Sequence, residues 1–527
     1  MKRYIILSML VLAFGSCTDF LDVSTEKSPT EKTYLNTDAE VTAAMNAVYA
    51  GGIFTEDDAC FGRGFFYEWA GGGDDMIFGR TRGDLFYHLC NFDYTGDDGN
   101  TVYDAWKAIN GNIAKANWLI YNLLKKGELT PVQSHRLGEA YFFRAFCHFY
   151  IAYRYGRDDN GVPFDRYEDY DPYEYGIPVQ RATVMDNYDL IIQDLEKAAD
   201  LVSYFEEYAP EDQGRAHKAA CWAYMVKVYA YWAQYDETKW DLIPPLVDKI
   251  ETEGKRGLLD NFADVFTIAN NWSKEYIWSI VSSVETNRGC RLPGVTLENH
   301  AWGLVNGWGF FKPTLGLYEE YKKEDTRLKA TIWEYGDEIV MYGLKMRFFS
   351  TSDLESGFQL AKYMDGYKYG EVVNGAGVGG PKEVVTDLNV PIVRFAEMVL
   401  YKAEALIVRG KIAEGTAALN RISSRAGLGD LYTNATMDDL KHERRCELAG
   451  ELSDRFMDLK RWKEWTILDA PKYGRHYEER GDPDSDWSPI VIWPARHFEP
   501  EYDIVMPYHP DEVVRANGKL KQNPIGR

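Results

Sequence analysis

The sequence predicts a mainly α-helical protein: a degenerate tetratricopeptide-like scaffold of helical hairpins with long irregular loop insertions and a few short β-strands. Three observations support this fold class: long segments with apolar residues at helical spacing, alternation of alanine and aromatic residues within those segments, and long non-helical blocks between them. Close packing of small against large side chains is typical of tetratricopeptide hairpins. Because the hairpins are scattered and their period is irregular, we expect a degenerate scaffold and not a regular solenoid.

The N-terminus has the features of a signal peptide. Two basic residues precede an apolar stretch over 4–14, and Gly15 and Ser16 stand directly before Cys17. This stretch is much shorter than the ~20 residues that a membrane-spanning helix needs. We therefore predict a lipoprotein signal peptide over 1–16, with Cys17 acylated at the mature N-terminus. An ordinary signal peptide followed by a chance cysteine is the alternative.

Helical periodicity places the scaffold in three parts of the chain, 37–60, 101–234 and 391–467. Apolar residues recur at the spacing of a helical face in the segments 37–49, 102–124, 131–155, 187–204, 216–234, 393–409, 412–426, 437–448 and 454–465. The two helices on either side of Gly410 form the clearest predicted hairpin, with that glycine at the turn.

Long non-helical segments separate these parts, at about 61–100 and 271–390. They are rich in glycine, acidic or amide residues and aromatic residues, and a short β-like run lies at 276–281. Loops of this length are either functional or disordered. Their aromatic content argues against disorder, which favours a functional role.

The composition narrows the range of functions. The formal net charge is −23 and no segment is strongly basic, which excludes nucleic acid as the main partner because phosphate binding needs a basic surface. Aromatic residues make up 15% of the chain. Trp118, Trp222 and Trp232 stand at helical spacing and are expected in the core, whereas the aromatic residues of the insertions are available for binding.

No sequence motif supports catalysis or a cofactor. Gly375, Gly377 and Gly380 match the spacing GxGxxG, but Pro381 follows at once, so the third glycine opens no helix and the segment is predicted to be a loop. The motifs HExxH, GxSxG and GxxxxGK[ST] do not occur in the sequence. The motifs therefore give no positive support to catalysis, and we predict no cofactor.

Acidic residues and cysteines are the candidates for metal and disulfide sites. Alternating aspartates resemble a calcium loop, but tryptophans stand where such a loop needs glycine and glutamate, so an acidic surface turn is predicted and an irregular Ca²⁺ site is the alternative. The aspartates are Asp482, Asp484 and Asp486, and the tryptophans are Trp487 and Trp493. The cysteines form no zinc pattern, and a disulfide between Cys60 and Cys90 is possible in an oxidising compartment.

A ladder of glutamates is the strongest local charge pattern. Glu443, Glu447 and Glu451 lie four residues apart on one predicted helical face. Like charges at this spacing repel unless each meets a cation. We therefore predict a structural network of salt bridges joining two helices; the arginines expected as partners are Arg444, Arg445 and Arg461.

The chain resembles the SusD/RagB family of outer-membrane nutrient-binding lipoproteins over nearly its whole length. The similar stretches are 17–22 (CTDFLD), 106–117 (WKAINGNIAKAN), 140–156 (AYFFRAFCHFYIAYRYG), 307–317 (GWGFFKPTLGL), 391–428 (starting PIVRFAEMVLYKAEALIVRG), 443–462 (ERRCELAGELSDRFMDLKRW) and 520–524 (LKQNP). The stretch 391–428 is the most specific. One departure from the family pattern is a one-residue insertion at 452–454.

The resemblance implies a single SusD-like domain over 17–527. It also implies a surface lipoprotein of the outer membrane of a Gram-negative bacterium, anchored by lipid at Cys17. Such a protein binds oligosaccharide or polysaccharide, delivers it to a SusC-like TonB-dependent transporter and is not an enzyme. The same architecture binding a non-sugar nutrient such as a peptide is the alternative, and a tethered enzyme is a third hypothesis.

The resemblance also implies where the ligand binds, because the family's ligand residues fall within 61–100 and 287–311. Sugar rings have an apolar face and a hydroxyl rim, so aromatic planes beside polar side chains suit them. The candidate ligand residues are Trp302, Tyr94, Asp75, Arg80, Trp308, Asp74, Tyr87, Asn100 and Asn306. For Trp308 a core position is equally open, since it lies within the stretch 307–317.

Overall fold

The computed structural model describes residues 35–54, 72–79, 85–93, 95, 103–169, 180–286, 288–297, 307, 309–341, 344–348, 356–365, 386–453, 455–479 and 482–526. The helices confirm the predicted fold class. They are α1 (Asp38–Tyr49), α2 (Leu85–Asn91), α3 (Tyr103–Leu124), α4 (Pro131–Tyr155), α5 (Val184–Leu201), α6 (Lys218–Trp232), α7 (Ile243–Thr252), α8 (Leu292–Thr296), α9 (Leu315–Glu320), α10 (Arg327–Thr331), α11 (Phe395–Val408), α12 (Ile412–Arg425), α13 (Met437–Leu448), α14 (Arg455–Arg461), α15 (Trp465–Asp469), α16 (Pro500–Asp503) and α17 (Pro510–Arg515). None of the helices in these ranges is both long and apolar enough to cross a membrane.

Side-chain caps fix where the long helices begin. Thr130 accepts a hydrogen bond from the backbone of α4, whose first residue is a proline. Thr183 and Asp186 form a reciprocal capping box at the start of α5. The predicted segment 187–204 was therefore placed three residues too late: the cap starts the helix at 184, and the extended backbone of Val202 ends it.

Consecutive helices pack as antiparallel hairpins, α3 with α4, α4 with α5, α5 with α6, α6 with α7 and α11 with α12. Gly138 lets α4 approach the end of α5 closely, because a Cβ there would lie 2.7 Å from the Cβ of Leu201. Gly410 has φ of +74° and ends α11, as predicted for the turn of its hairpin. Trp222 is buried, whereas Trp118 and Trp232 are half-buried and pack against the core.

The strands are short and form two-stranded antiparallel sheets: β1 with β3, β2 with β8, β4 with β7, β5 with β6 and β9 with β10. Their bounds are β1 Met76–Ile77, β2 Tyr276–Ile280, β3 Lys312–Pro313, β4 Ile332–Glu334, β5 Glu338–Met341, β6 Leu344–Arg347, β7 Phe358–Leu360, β8 Val390–Arg394, β9 Lys472–Tyr477 and β10 Trp487–Trp493. β2 confirms the β-like run predicted at 276–281. It is mostly buried and joins the second insertion to the scaffold through β8.

A buried network of ion pairs joins β8, α10, α12 and α13, as the glutamate ladder predicted. Glu447, at the centre, meets Arg394 at 2.6 Å and Arg327 at 3.3 Å, and it also pairs with Arg425. Glu451 meets Arg394 at 2.5 Å. Burial alone would raise the pKa of Glu447, but Arg425, Arg394 and Arg327 outweigh it and hold that pKa well below its usual range.

The predicted partners of this network were wrong. Arg444 binds Asp458 and contacts Glu397, Arg461 binds Glu404 and Asp458, and Arg445 binds Asp74, Asp75 and Glu320. Residues next to the glutamates on α13 point to other faces of the helix. The cations that reach the glutamates are distant in sequence and arrive through tertiary packing, which the spacing of one helix does not reveal.

Candidate functional site

The two predicted ligand-face insertions meet in the structure. β1 of the first pairs with β3 of the second, and Phe78 packs on Phe310 with ring centroids 4.6 Å apart. A Cβ on Gly79 would lie 2.2 Å from the backbone oxygen of Gly309, so the two segments need glycine where they cross. The described residues next to the segment 80–84 therefore lie beside those next to the segment 298–306.

Asp74 and Asp75 hold this junction against the scaffold. Asp75 is buried and lies 2.7 Å from Nε of Arg445, and Asp74 lies 2.9 Å from Nε of Arg455. Burial raises the pKa of Asp75, and the neighbouring Asp74 adds to this effect. Both carboxylates face arginines of the scaffold, so their structural role is to position the first insertion. A direct contact with ligand stays a prediction for both residues.

A cavity of about 490 Å³ lies beside the junction. Its walls come from the end of α1 and the following turn, the turn at 210–215, β2 with its flanks, and the segment 288–295. This volume falls within the range of small-molecule binding sites, about 300–1,000 Å³. Val295 connects the cavity to the junction, because its carbonyl oxygen accepts a hydrogen bond of 3.0 Å from the backbone N–H of Phe310.

Aromatic side chains form the apolar wall of the cavity. Trp278 is buried, and its ring centroid lies 4.7 Å from that of Phe142 and 5.8 Å from that of Phe54, in edge-to-face arrangements. Its indole N–H donates to the carbonyl of Gly214. Phe54 and Trp272 line the cavity and are half-buried, so part of each ring is available to a ligand.

Charged and polar side chains also line the cavity. Arg215 pairs with Asp212, meets Glu139 at 3.1 Å and donates to Oδ1 of Asn46 at 2.7 Å. Glu139 is fully buried; burial would raise its pKa, but the hydrogen bond from His135 and the charge of Arg215 lower it. The cavity is therefore lined both by aromatic rings and by polar groups held in ion pairs, which suits a ligand with apolar faces and polar edges.

Most of the predicted ligand residues lie outside the described residues. These are Trp302, Tyr94, Arg80, Trp308, Asn100 and Asn306, as is the lipidation site Cys17. Tyr87 lies in α2. The described residues on either side of the segment 298–306, which carries Trp302 and Asn306, lie close together, because Gly309 donates from its backbone N–H to the carbonyl of Leu297 at 2.8 Å.

No described group of three or more histidine, cysteine or acidic side chains is arranged to hold a metal ion. In the acidic turn, the carboxylate of Asp484 pairs with Arg347, and Asp482 accepts a hydrogen bond from the backbone N–H of Asp484. Cys90 is buried. Its predicted partner Cys60 lies outside the described residues, so the disulfide stays a prediction.

Several cavity residues were missed from the sequence: Tyr49, Phe54, Trp272 and Arg215. Tyr49 is the last residue of α1 and Phe54 lies in the turn that follows it, and no pattern in the sequence marks either one as part of a cavity. Arg215 and Trp272 lie at the edges of predicted segments, where neither periodicity nor a motif marks them. One signal could have found Trp272: a tryptophan within the second aromatic insertion, next to Asn271.

Family comparisons match both halves of the chain. The sequence model of a family described as "Starch-binding associating with outer membrane" matches residues 19–230, and that of the "SusD family" matches residues 274–525. A SusD-like protein of Formosa agariphila is 23% identical over 502 residues, covering 88% of this chain and 90% of that protein.

Solved structures share the fold. A SusD-like protein from Bacteroides fragilis has a TM-score of 0.77 at 20% identity and covers 94% of this chain and 99% of its own. The surface glycan-binding protein A from Bacteroides thetaiotaomicron, in complex with laminarihexaose, has a TM-score of 0.68 at 21% identity and covers 92% of this chain and 99% of its own.

Proposed function

Because this chain belongs to the SusD family, we propose that it is a cell-surface lipoprotein that captures oligosaccharide or polysaccharide and delivers it to a SusC-like TonB-dependent outer-membrane transporter. Its lipid anchor is Cys17. It binds its substrate without cleaving it, so the purified protein releases no product from a polysaccharide that it retains.

One observation carries the proposal: a cavity lined by aromatic side chains lies beside the junction of the two insertions. Phe54 and Trp272 present partly exposed rings, and Arg215, Asp212 and Asn46 line the same cavity with polar groups. The apolar face of a sugar ring packs on the former, and its hydroxyl groups form hydrogen bonds with the latter. Two structural relatives are named for binding glycan or laminarin, which supports the same ligand class here.

Replacing Trp272 by alanine is expected to weaken glycan binding at least about tenfold, since truncating an aromatic anchor of a binding site costs about 2 kcal/mol or more. The measurement is affinity electrophoresis of the chain from residue 17, with Cys17→Ser, through gels cast with a panel of polysaccharides. Trp302→Ala is tested beside it, because Trp302 is the first of the ligand residues predicted from the sequence.

Trp487→Ala is the matched control, because Trp487 is 41% exposed on β10 and does not line the cavity. Val281→Trp is a second cavity variant: Val281 is 46% exposed at the cavity edge, so a larger side chain obstructs the site without changing the core. Equal retardation of wild type, Trp272→Ala and Val281→Trp would contradict the assignment of this cavity. No retardation by any polysaccharide, together with binding of peptides, would favour a peptide-binding protein instead.

A further inference from the structure

We infer that the cavity selects anionic sugars, which carry carboxylate or sulfate groups, and that Arg288 recognises the negative charge. This inference rests on the proposed function and adds a substrate class to it. It starts from the charges on the cavity wall, which are positive in sum although the whole chain has a formal net charge of −23.

Part of the wall is already neutral. Asp212 pairs with Arg215 and lies 3.6 Å from Arg136, and the same two arginines pair with the buried Glu139. Two positive and two negative charges therefore compensate each other within this group. Because each carboxylate is already bound by arginines, these side chains offer a ligand hydrogen bonds but little net charge.

The remaining charged residues that line the cavity are Glu211, Arg288 and Arg291. Their formal charges sum to +1, and Arg291 already interacts with another group of the protein, so Arg288 is the cation to consider. Glu211 and Arg288 are both exposed. The guanidinium of Arg288 makes no ion pair or hydrogen bond with any described residue. It is thus the cation on this wall that can bind an anionic ligand without first losing a protein partner.

The backbone holds Arg288 in place at the cavity edge. Its N–H donates to the carbonyl of Ser283 at 2.8 Å, and its carbonyl accepts from the N–H of Ser283 at 3.0 Å. A guanidinium binds carboxylate or sulfate oxygens with two parallel hydrogen bonds, and such charge-assisted bonds are about twice as strong as neutral ones. Trp272 and Val281 line the same cavity and offer the apolar surface on which a sugar ring can pack.

Two pairs of probes test the inference, each pair sharing one sugar backbone. The first is oligogalacturonate and its fully methyl-esterified, neutral form; the second is carrageenan oligosaccharide and its desulfated form. Calorimetric titration of the chain from residue 17, with Cys17→Ser, is expected to show at least tenfold tighter binding of the charged member of one pair. That pair identifies whether carboxylate or sulfate is the preferred group.

Arg288→Gln is expected to remove most of that preference and to leave the affinity for the neutral member unchanged. Glu211→Gln is the matched variant of opposite sign and is expected to leave binding of the charged member equal or tighter. Equal affinities for charged and neutral members, or an unchanged preference in Arg288→Gln, would overturn the inference while the proposed function stands. Failure of every charged and neutral glycan to bind would overturn both.

Discussion

Replacing Arg394 by methionine is expected to destabilise the protein by about 3–5 kcal/mol, the typical cost of removing one partner from a buried ion pair. Arg394 is 2% exposed and binds Glu275 at 2.8 Å, Glu447 at 2.6 Å and Glu451 at 2.5 Å. The variant leaves these carboxylates with fewer cations in a region that water does not reach. Methionine fills much of the same volume, so the loss of charge dominates the effect.

The measurement is the thermal unfolding midpoint of the chain from residue 17. With an unfolding entropy of about 2.1 cal/mol/K per residue, a loss of about 3–5 kcal/mol lowers the midpoint by about 3–5 °C in a chain of this length. Arg409→Met is the control, because Arg409 is 36% exposed and pairs with the 49%-exposed Asp241. That surface pair is worth about 1 kcal/mol or less. Equal shifts in the two variants would contradict a central role for Arg394.

The helical scaffold could be predicted because local signals specify it. Apolar residues at helical spacing predicted α3 and α4 within one residue of their observed bounds. Gly410 predicted the turn of a hairpin, and its backbone there is left-handed, a conformation that favours glycine. The hairpin of β9 and β10 was not predicted, because β10 exposes Trp487, Ile490 and Val491 and so lacks the alternation expected of a half-buried strand.

The binding region could be predicted only as two insertions, and the cavity beside them was not foreseen. Its walls come from α1, a turn near 212, β2 and the segment 288–295, and only the fold brings these parts together. The same limit explains the glutamate ladder: its spacing identified a charged network on α13, but Arg327, Arg394 and Arg425 reach it through contacts between residues far apart in sequence.

Acidification from pH 7 to pH 5 is expected to destabilise the protein by about 4 kcal/mol, because two buried histidines stay neutral in the folded state. Burial and the nearby Arg256 lower the pKa of His217 to about 3. Burial, followed by the charge of Arg144, lowers the pKa of His148 well below its usual range. In the unfolded chain both residues take up a proton near pH 6.5.

The direction of this change in stability follows from the number of protons that the folded and unfolded states bind. Between pH 6.5 and the folded pKa values, the unfolded state binds more protons than the folded state, so the free energy of unfolding falls as the pH falls. Each histidine contributes about 1.4 kcal/mol per pH unit in this window. Carboxylates such as Glu447, with a lowered pKa, add to the loss only as the pH approaches 4.5 and below. The change between pH 7 and pH 5 therefore reports mainly on the histidines.

His148→Leu tests this assignment, because it removes one of the two titrating groups and leaves an apolar side chain stacked near Phe164, on which the imidazole packs at 3.8 Å. Urea unfolding at pH 7, 6 and 5 is expected to show about half the wild-type loss of stability in this variant, whatever its stability at pH 7. His476→Leu is the control: His476 is exposed on β9, so this replacement is expected to leave the pH dependence of stability unchanged. The same loss in His148→Leu as in wild type would mean that a different group takes up the proton on unfolding.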